Sequence, residues 1–249
     1  MTREEKIKLV QPVLDTFEND DIKEFVTVLL EELPEYIWHV GASSTGKYHP
    51  AYSLGDGGLM RHQMAVVRFL NFFFELEQYN SKLTSREMDL MRIAGLVHDG
   101  RKSGSQEDYE RSKYTKFDHP IQMADAIRAH DGQYLNHEEI EMITQMISSH
   151  MGQWCTDKKS SATLPKPSDK YAEMIHLADY LASRKALTMD FDGYASKSME
   201  LPDIKTHVLT FGKHKGRTLA EVNIIDKGWI QWAKENINRH PEAELLKQL

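Results

Sequence analysis

In "AGLVHDGRKSG", residues 94–104, an apolar helical stretch ends in His98 and Asp99, followed at once by Arg101 and Lys102. An imidazole and a carboxylate are metal donors, and the two cations after them suit a phosphate. Neighbouring residues point apart in mid-helix, but at a helix terminus both can converge on one ion or straddle two. Other donors fall on faces that should be buried. His62 precedes Ala65, Val66 and Phe69 at helical spacing, His150 extends the stripe Ile140, Ile143, Ile147, and Asp179 sits among Ile175, Ala178 and Ala182. Taken singly, each histidine reads as a hydrogen-bonded core residue and Asp179 as half of a salt bridge. Taken together, each would need a private partner, because an unpaired buried carboxylate costs several kcal/mol. One metal centre satisfies them all. Imidazole and carboxylate without thiolate favour iron, manganese, zinc or similar divalent ions over a structural zinc knot.

The elements that must hold these residues read as helices. Residues 4–31 carry two amphipathic stretches divided by "ENDD", whose Asp residues suit capping. "YIWHVGASSTGKYHPAYSLGDGG" is too broken for either regular pattern and reads as a long ordered loop, a kind of segment that often carries function. Helices are then predicted from Gly58 through Phe73 and over Ser85–His98, Pro120–His130, Glu138–His150 and Asp169–Leu187, with Gly100 relieving the turn after the His-Asp pair. The fold class is mainly α over residues 1–195, with the N-terminal helices (residues 1–35) packed on the rest. Past "SKSMELPD" the composition changes. "HVLTFGKHKGRTLAEV" has a β-rich start and no helical period, and "DKGWIQWAKENI" reads as a short helix. Residues 204–249 are therefore expected to form a small α+β module, made basic by Lys205, Lys213, Lys215 and Arg217.

With 40% hydrophobic and 28% charged residues, the 249-residue chain reads as globular and soluble. Its net charge of -7 argues against wholesale nucleic-acid coating while leaving room for a local basic patch. The lone Cys155, the absence of a signal-like start in "MTREEKIKLV" and the lack of an apolar run of membrane length place the expectation in the cytoplasm.

The order His62, His98-Asp99, Asp179 in a helical setting resembles the H…HD…D signature of the HD-domain metal-dependent phosphohydrolases. "YHPAYSLGDGGLMRH" is similar to the approach loop and first ligand helix of that superfamily, particularly in bacterial HD-type 3′ to 5′ exoribonucleases. The resemblance implies one metal on His62, His98, Asp99 and Asp179. Two-metal members add two histidines, and "FDHP" and "SSHMG" supply His119 and His150 at those places. His119 precedes Pro120 and so stands at a helix entrance. His130 is its reserve, and His137 reads as an exposed helix-start residue. The cofactor implied is one or two divalent ions: manganese, iron, zinc, nickel, cobalt or magnesium. A water bridged between two cations would attack phosphorus, with Asp99 as the bridging carboxylate. Lys102, at HDxxK spacing, would hold the phosphate, with Arg101, Arg184, His49, Arg61 and Lys47 as further substrate contacts. Ser149 replaces the second of a histidine pair seen in cyclic-dinucleotide members and the GYP motif is missing, which argues against a cyclic-di-GMP phosphodiesterase.

The C-terminal stretch is similar to the small module that ends some DnaQ-like 3′ to 5′ exodeoxyribonucleases, marked by "FGKHKG" and a later Trp. Lys213, Lys215 and Arg217 would contact phosphates. Trp229 and Trp232 would stack on bases or, alternatively, form the module's core. The expected function is a metal-dependent phosphohydrolase, preferably phosphodiesterase- or exonuclease-like, acting on a nucleic acid or nucleotide as a monomer or homo-oligomer. The alternatives are a nucleotide phosphatase, a dNTP triphosphohydrolase or a di-iron HD oxygenase.

Overall fold

The computed structural model describes residues 1–43, 49–158, 160–189, 191, 207–237 and 246. Lys47, Lys205 and the "SKSMELPD" segment lie outside the described residues. The chain divides into two compact units, Met1–Phe191 and Asp192–Leu249.

The first unit is helical. It comprises α1 (Arg3–Leu14), α2 (Asp20–Glu32), α3 (Gly58–Glu75), α4 (Glu77–Asn80), α5 (Ser85–Val97), α6 (Gln106–Arg111), α7 (His119–Arg128), α8 (His137–Ser149) and α9 (Lys170–Ala182). The long loop between α2 and α3 holds two short 3-10 turns, Glu35–Trp38 and Ala51–Ser53. Capping explains most of the starts: Thr2, Thr84, Ser105 and Asn136 each close a capping box with an acidic residue three positions on. The sequence predicts Asp capping at "ENDD", but Asn19 is the N-cap of α2 and makes no side-chain cap bond. α9 ends at Ala182, five residues before the expected Leu187, and α6 is a helix that the apolar period did not announce.

α5 is the central element, buried without interruption from Met88 to Val97, and it packs on α2, α3, α8 and α9. A helix buried on all sides cannot show one apolar stripe, so its polar residues need partners. Asp89 is fully buried and accepts from the backbone N–H groups of Glu18 (2.9 Å) and Asn19 (2.8 Å) and from the Asn19 amide (2.7 Å). Its other oxygen takes Arg92 at 2.6 Å, and Arg92 in turn donates to Asn71 on α3 at 2.8 Å. One carboxylate thus ties the α1–α2 connection, α5 and α3 together. Gly95 lets α3 approach, since a Cβ there would stand 2.9 Å from Leu70.

In the second unit the described residues form α10 (Leu219–Ile225), α11 (Lys227–Asn236) and an isolated antiparallel bridge, Val208–Thr218. α10 corrects the reading of "RTLAEV" as lacking helical period: Thr218 and Glu221 close a capping box, a signal shorter than one apolar repeat. Leu209, Leu219, Val222, Trp229, Ile230, Ala233 and Leu246 form the core of this unit. No helix of the described residues is long and apolar enough to cross a membrane.

Removing one member of the Asp89–Arg92 pair leaves the other buried without its charge partner. Asp89→Ala should lower stability by about 3 kcal/mol or more, read as a shift in the equilibrium urea-unfolding midpoint; a change within about 0.5 kcal/mol would show that the network is replaceable.

Candidate metal centre

The six residues expected to gather do so at the ends or along the inner faces of four helices and at one helix entrance. His62 comes from the second turn of α3, His98 and Asp99 from the C-terminus of α5, His119 from the first position of α7, His150 from the C-cap of α8 and Asp179 from the inner side of α9. His62 Nε2 lies 3.0 Å from Asp179 Oδ1, and His98 Nε2 lies 3.7 Å from both Asp179 Oδ1 and Asp99 Oδ2. On the other side of Asp99, Oδ1 faces His119 Nε2 at 2.9 Å and His150 Nε2 at 3.8 Å. Neighbouring imidazole rings of the four histidines stand 4.8–5.4 Å apart, edge to face.

Three of these imidazoles are aimed by their own backbone. Nδ1 of His98, His119 and His150 meets the carbonyl oxygen of the residue three positions earlier, Gly95 (2.9 Å), Lys116 (2.6 Å) and Ile147 (2.8 Å). A carbonyl only accepts, so each Nδ1 carries a proton, and in the neutral ring Nε2 presents a lone pair to the carboxylates. Lone pairs facing carboxylate oxygens repel unless a cation lies between them. The same carbonyl-anchored tautomer is the usual outer support of a metal-bound histidine. Of six buried side-chain polar atoms without a hydrogen bond among the described residues, four are imidazole nitrogens here: His49 Nδ1, His62 Nδ1, His98 Nε2 and His119 Nε2. Two groupings have the spacing to hold an ion, His62–His98–Asp179 and His98–Asp99–His150. The donor set fits a divalent metal of the iron, manganese or zinc type.

The electrostatics point the same way. Burial pushes His98 down and His150 down to about 3, so both are neutral at neutral pH. Burial alone would raise Asp99, yet the Lys102 ammonium beside it leads the influences that hold its carboxyl well below the usual range. Asp179 is lowered too, its burial outweighed by the contact with His62 and the nearness of His98 and His150.

All members but His98 open onto a cavity of about 450 Å³, whose other walls are His49, Lys102, Thr115, Met151, Trp154, Ser183 and Arg184. Lys102 Nζ donates to Asp99 Oδ2 at 2.5 Å. His49 lies edge-on to His62, ring centroids 5.7 Å apart, and burial lowers it to about 4. Arg184 packs its guanidinium 4.2 Å from the Tyr180 ring. Among the described residues, the structure does not bring Arg61 or Arg101 here. Arg61 donates to the carbonyls of Tyr52 (2.5 Å) and Leu54 (2.9 Å) and so braces the loop before α3. Arg101 is absent from the cavity walls. His130, the reserve for His119, pairs instead with Glu32 at 2.9 Å and packs on Phe25, because it lies beyond the C-terminus of α7 while the cluster gathers at its N-terminus. His137 is exposed at the start of α8, against Asp131 at 2.6 Å.

Gly100 does not serve as a conformational relief: it is not among the glycines of positive φ, and a Cβ would stand 2.6 Å from Leu33 and 2.7 Å from the Met123 sulfur. Packing, not turn geometry, requires it. Sequence reasoning also missed Tyr36, whose hydroxyl accepts from Ser103 N–H and donates to Gly104 O, both at 2.9 Å, pinning the turn that carries Lys102. In the second unit, Lys213 is paired with Asp226 at 2.6 Å, and Trp229 is buried while Trp232 is 51% exposed. Lys215 and Arg217 are exposed.

Residues 60–184 match the family described as HD domain, and residues 209–238 match the one described as exodeoxyribonuclease X-like C-terminal. The first match spans half of the chain, which belongs to the HD-domain family, a family of metal-dependent hydrolases. No match is found among curated proteins or solved structures.

Because the folded-state values of His98 and His150 lie below those of the unfolded chain, the unfolded state binds more protons and stability falls as pH is lowered. The loss begins near pH 6.5 and continues toward pH 3, where the lowered Asp99 and Asp179 add to it. For metal-stripped protein, about 2 kcal/mol or more should be lost between pH 6.5 and 5 in urea unfolding, given 1.36 kcal/mol per pH unit for each such group. A flat profile over that interval would contradict it.

Proposed function

We propose that residues 1–195 form a metal-dependent phosphohydrolase domain that cleaves a phosphoester of a nucleic acid or nucleotide, in an exonuclease-like manner, with residues 204–249 as an accessory module that engages the nucleic acid. His62, His98, Asp99, His119, His150 and Asp179 would hold one or two divalent ions. The observation that carries this reading is the set of Nε2 atoms turned toward the buried Asp99 and the partly buried Asp179, an arrangement that calls for a cation. A bound divalent ion supplies a water that ionises near neutral pH and charge neutralisation at phosphoryl oxygens.

The chain's own groups account for the rest. Asp99, kept ionised, has an imidazole Nε2 near each of its oxygens and would be the carboxylate shared between ions if two were held. Lys102, steered to the cavity by Asp99, contributes a fixed positive charge for a phosphate. Arg184 adds a second cation at the wall, and His49, neutral at pH 7, offers a polar ring beside His62. The preference for a nucleic acid or nucleotide over other phosphoesters draws support from the exodeoxyribonuclease X-like match and from exposed Lys215 and Arg217.

Metal analysis combined with a substrate panel tests this. Manganese-loaded protein should cleave at least one of single-stranded oligonucleotides, cyclic nucleotides, nucleoside monophosphates and dNTPs; if all stay intact, the reading fails. His98→Ala or Asp99→Ala should lower metal content and reduce turnover by about a thousandfold or more, on the scale of losing a principal electrostatic contributor. Unchanged turnover after loss of bound metal would refute the mechanism, and iron with dioxygen-dependent turnover would redirect it to oxygenation. Deleting residues 204–249 should change the ranking of oligonucleotide against nucleotide substrates more than the turnover of the best small substrate. An unchanged ranking would remove the accessory module from the account.

A further inference from the structure

The wall of the cavity opposite in chemistry to the imidazole cluster is aromatic. Trp154 is 46% exposed and lines the same cavity as Lys102 and Arg184. Its ring lies within 10° of parallel to Tyr180 at a centroid distance of 6.0 Å, and the Arg184 guanidinium stands 4.2 Å from the same Tyr180 ring. Arg184 Nε also donates to the Tyr180 carbonyl at 3.1 Å. An indole left half in water at the mouth of a polar cavity keeps apolar area available that a flat ring can cover.

The indole is held firmly. It follows His150 by four residues, across a turn in which Gly152 adopts φ +56° and donates to Ser149 O at 3.0 Å, and Trp154 N–H donates to Met151 O at 3.0 Å. His176 donates from Nδ1 to the His150 carbonyl at 2.8 Å, meets Trp154 edge to face at 6.0 Å and leaves no room for a side chain at residue 152, where a Cβ would stand 2.3 Å from its ring. One short segment thus fixes both the His150 imidazole and the aromatic wall.

We propose that Trp154, backed by Tyr180 and flanked by Arg184, is the stacking platform for a nucleobase, so that the cavity takes one nucleotide unit with its base on the indole and its phosphate toward Lys102. The inference rests on the hydrolytic reading of the cluster and names its substrate class. Stacking on an indole face is tolerant of base identity, so all four bases are accepted. The unit is either a free nucleotide or the terminal residue of a single strand.

The test compares AMP, ribose 5-phosphate and triadenylate as ligands of metal-stripped full-length protein by calorimetric titration, so that no ligand is hydrolysed while it is titrated. AMP should bind at least tenfold tighter than ribose 5-phosphate. Trp154→Ala should weaken AMP about 5- to 150-fold, the range of base–aromatic stacking, while leaving ribose 5-phosphate within about twofold and manganese content after loading unchanged. Trp154→Phe should recover most of the AMP affinity, which a purely structural role of the indole would not require. Triadenylate binding tighter than AMP assigns the site to a strand end, and equal binding assigns it to a free nucleotide; either order supports the platform. Equal affinity for AMP and ribose 5-phosphate in the wild type, no AMP binding at all, or a parallel loss of both ligands in Trp154→Ala overturns it. The ratio is read without turnover, so a protein that discriminates AMP through Trp154 yet takes up no metal would sink the hydrolytic reading and leave the platform standing.

Discussion

The first unit is organised around a repulsion. Backbone carbonyls at Gly95, Lys116 and Ile147 fix the proton on Nδ1 of three histidines, and this obliges their Nε2 lone pairs to face Asp99 and Asp179 inside a largely closed space. Among the described residues nothing relieves that opposition fully. Lys102 reaches Asp99 from the cavity side, and Asp179 keeps 22% of its side chain accessible, but the inner oxygens meet only imidazole. The helices therefore hold apart, at considerable electrostatic cost, groups that a positive ion would draw together.

That cost is met by the scaffold behind the cluster. α5 carries the His-Asp pair at its end and is gripped from Met88 onward, with Asp89 and Arg92 clamping it to the α1–α2 connection and to α3. Gly95 and Gly100 allow neighbours to close in on the last turns, where any side chain would collide with Leu70, Leu33 or Met123. A terminus so confined cannot swing to relax the lone-pair repulsion. Rigidity of this kind is what a preorganised centre requires, since a donor set that could collapse on itself would lose its affinity for an ion.

Much of this was legible in the sequence, and the exceptions have physical reasons. The inward positions of His62, His150 and Asp179 followed from apolar spacing because α3, α8 and α9 each bury one face. Asp89 and Arg92 escaped notice because α5 is buried on every side and shows no stripe from which a polar residue would stand out. His130 competed with His119 on spacing alone, and only the direction in which α7 runs from the cluster separates them. Arg61 looked like a substrate contact because loop cations often are, whereas its donors meet two carbonyls that the irregular backbone before α3 leaves without helical partners. Trp154 gave no signal, since an isolated Trp after a glycine turn has no period to be read against.

The order in which the donors occur along the chain has a consequence for synthesis. His98, Asp99 and His150 are in place once α8 exists, but Asp179 arrives only with α9. A nascent chain emerging N-terminus first therefore carries every donor of the Asp99 side before the carboxylate that faces His62 has been made. Of the two groupings able to hold an ion, the one that includes His62 is the last to gain its donors, so an ion held there would wait on α9.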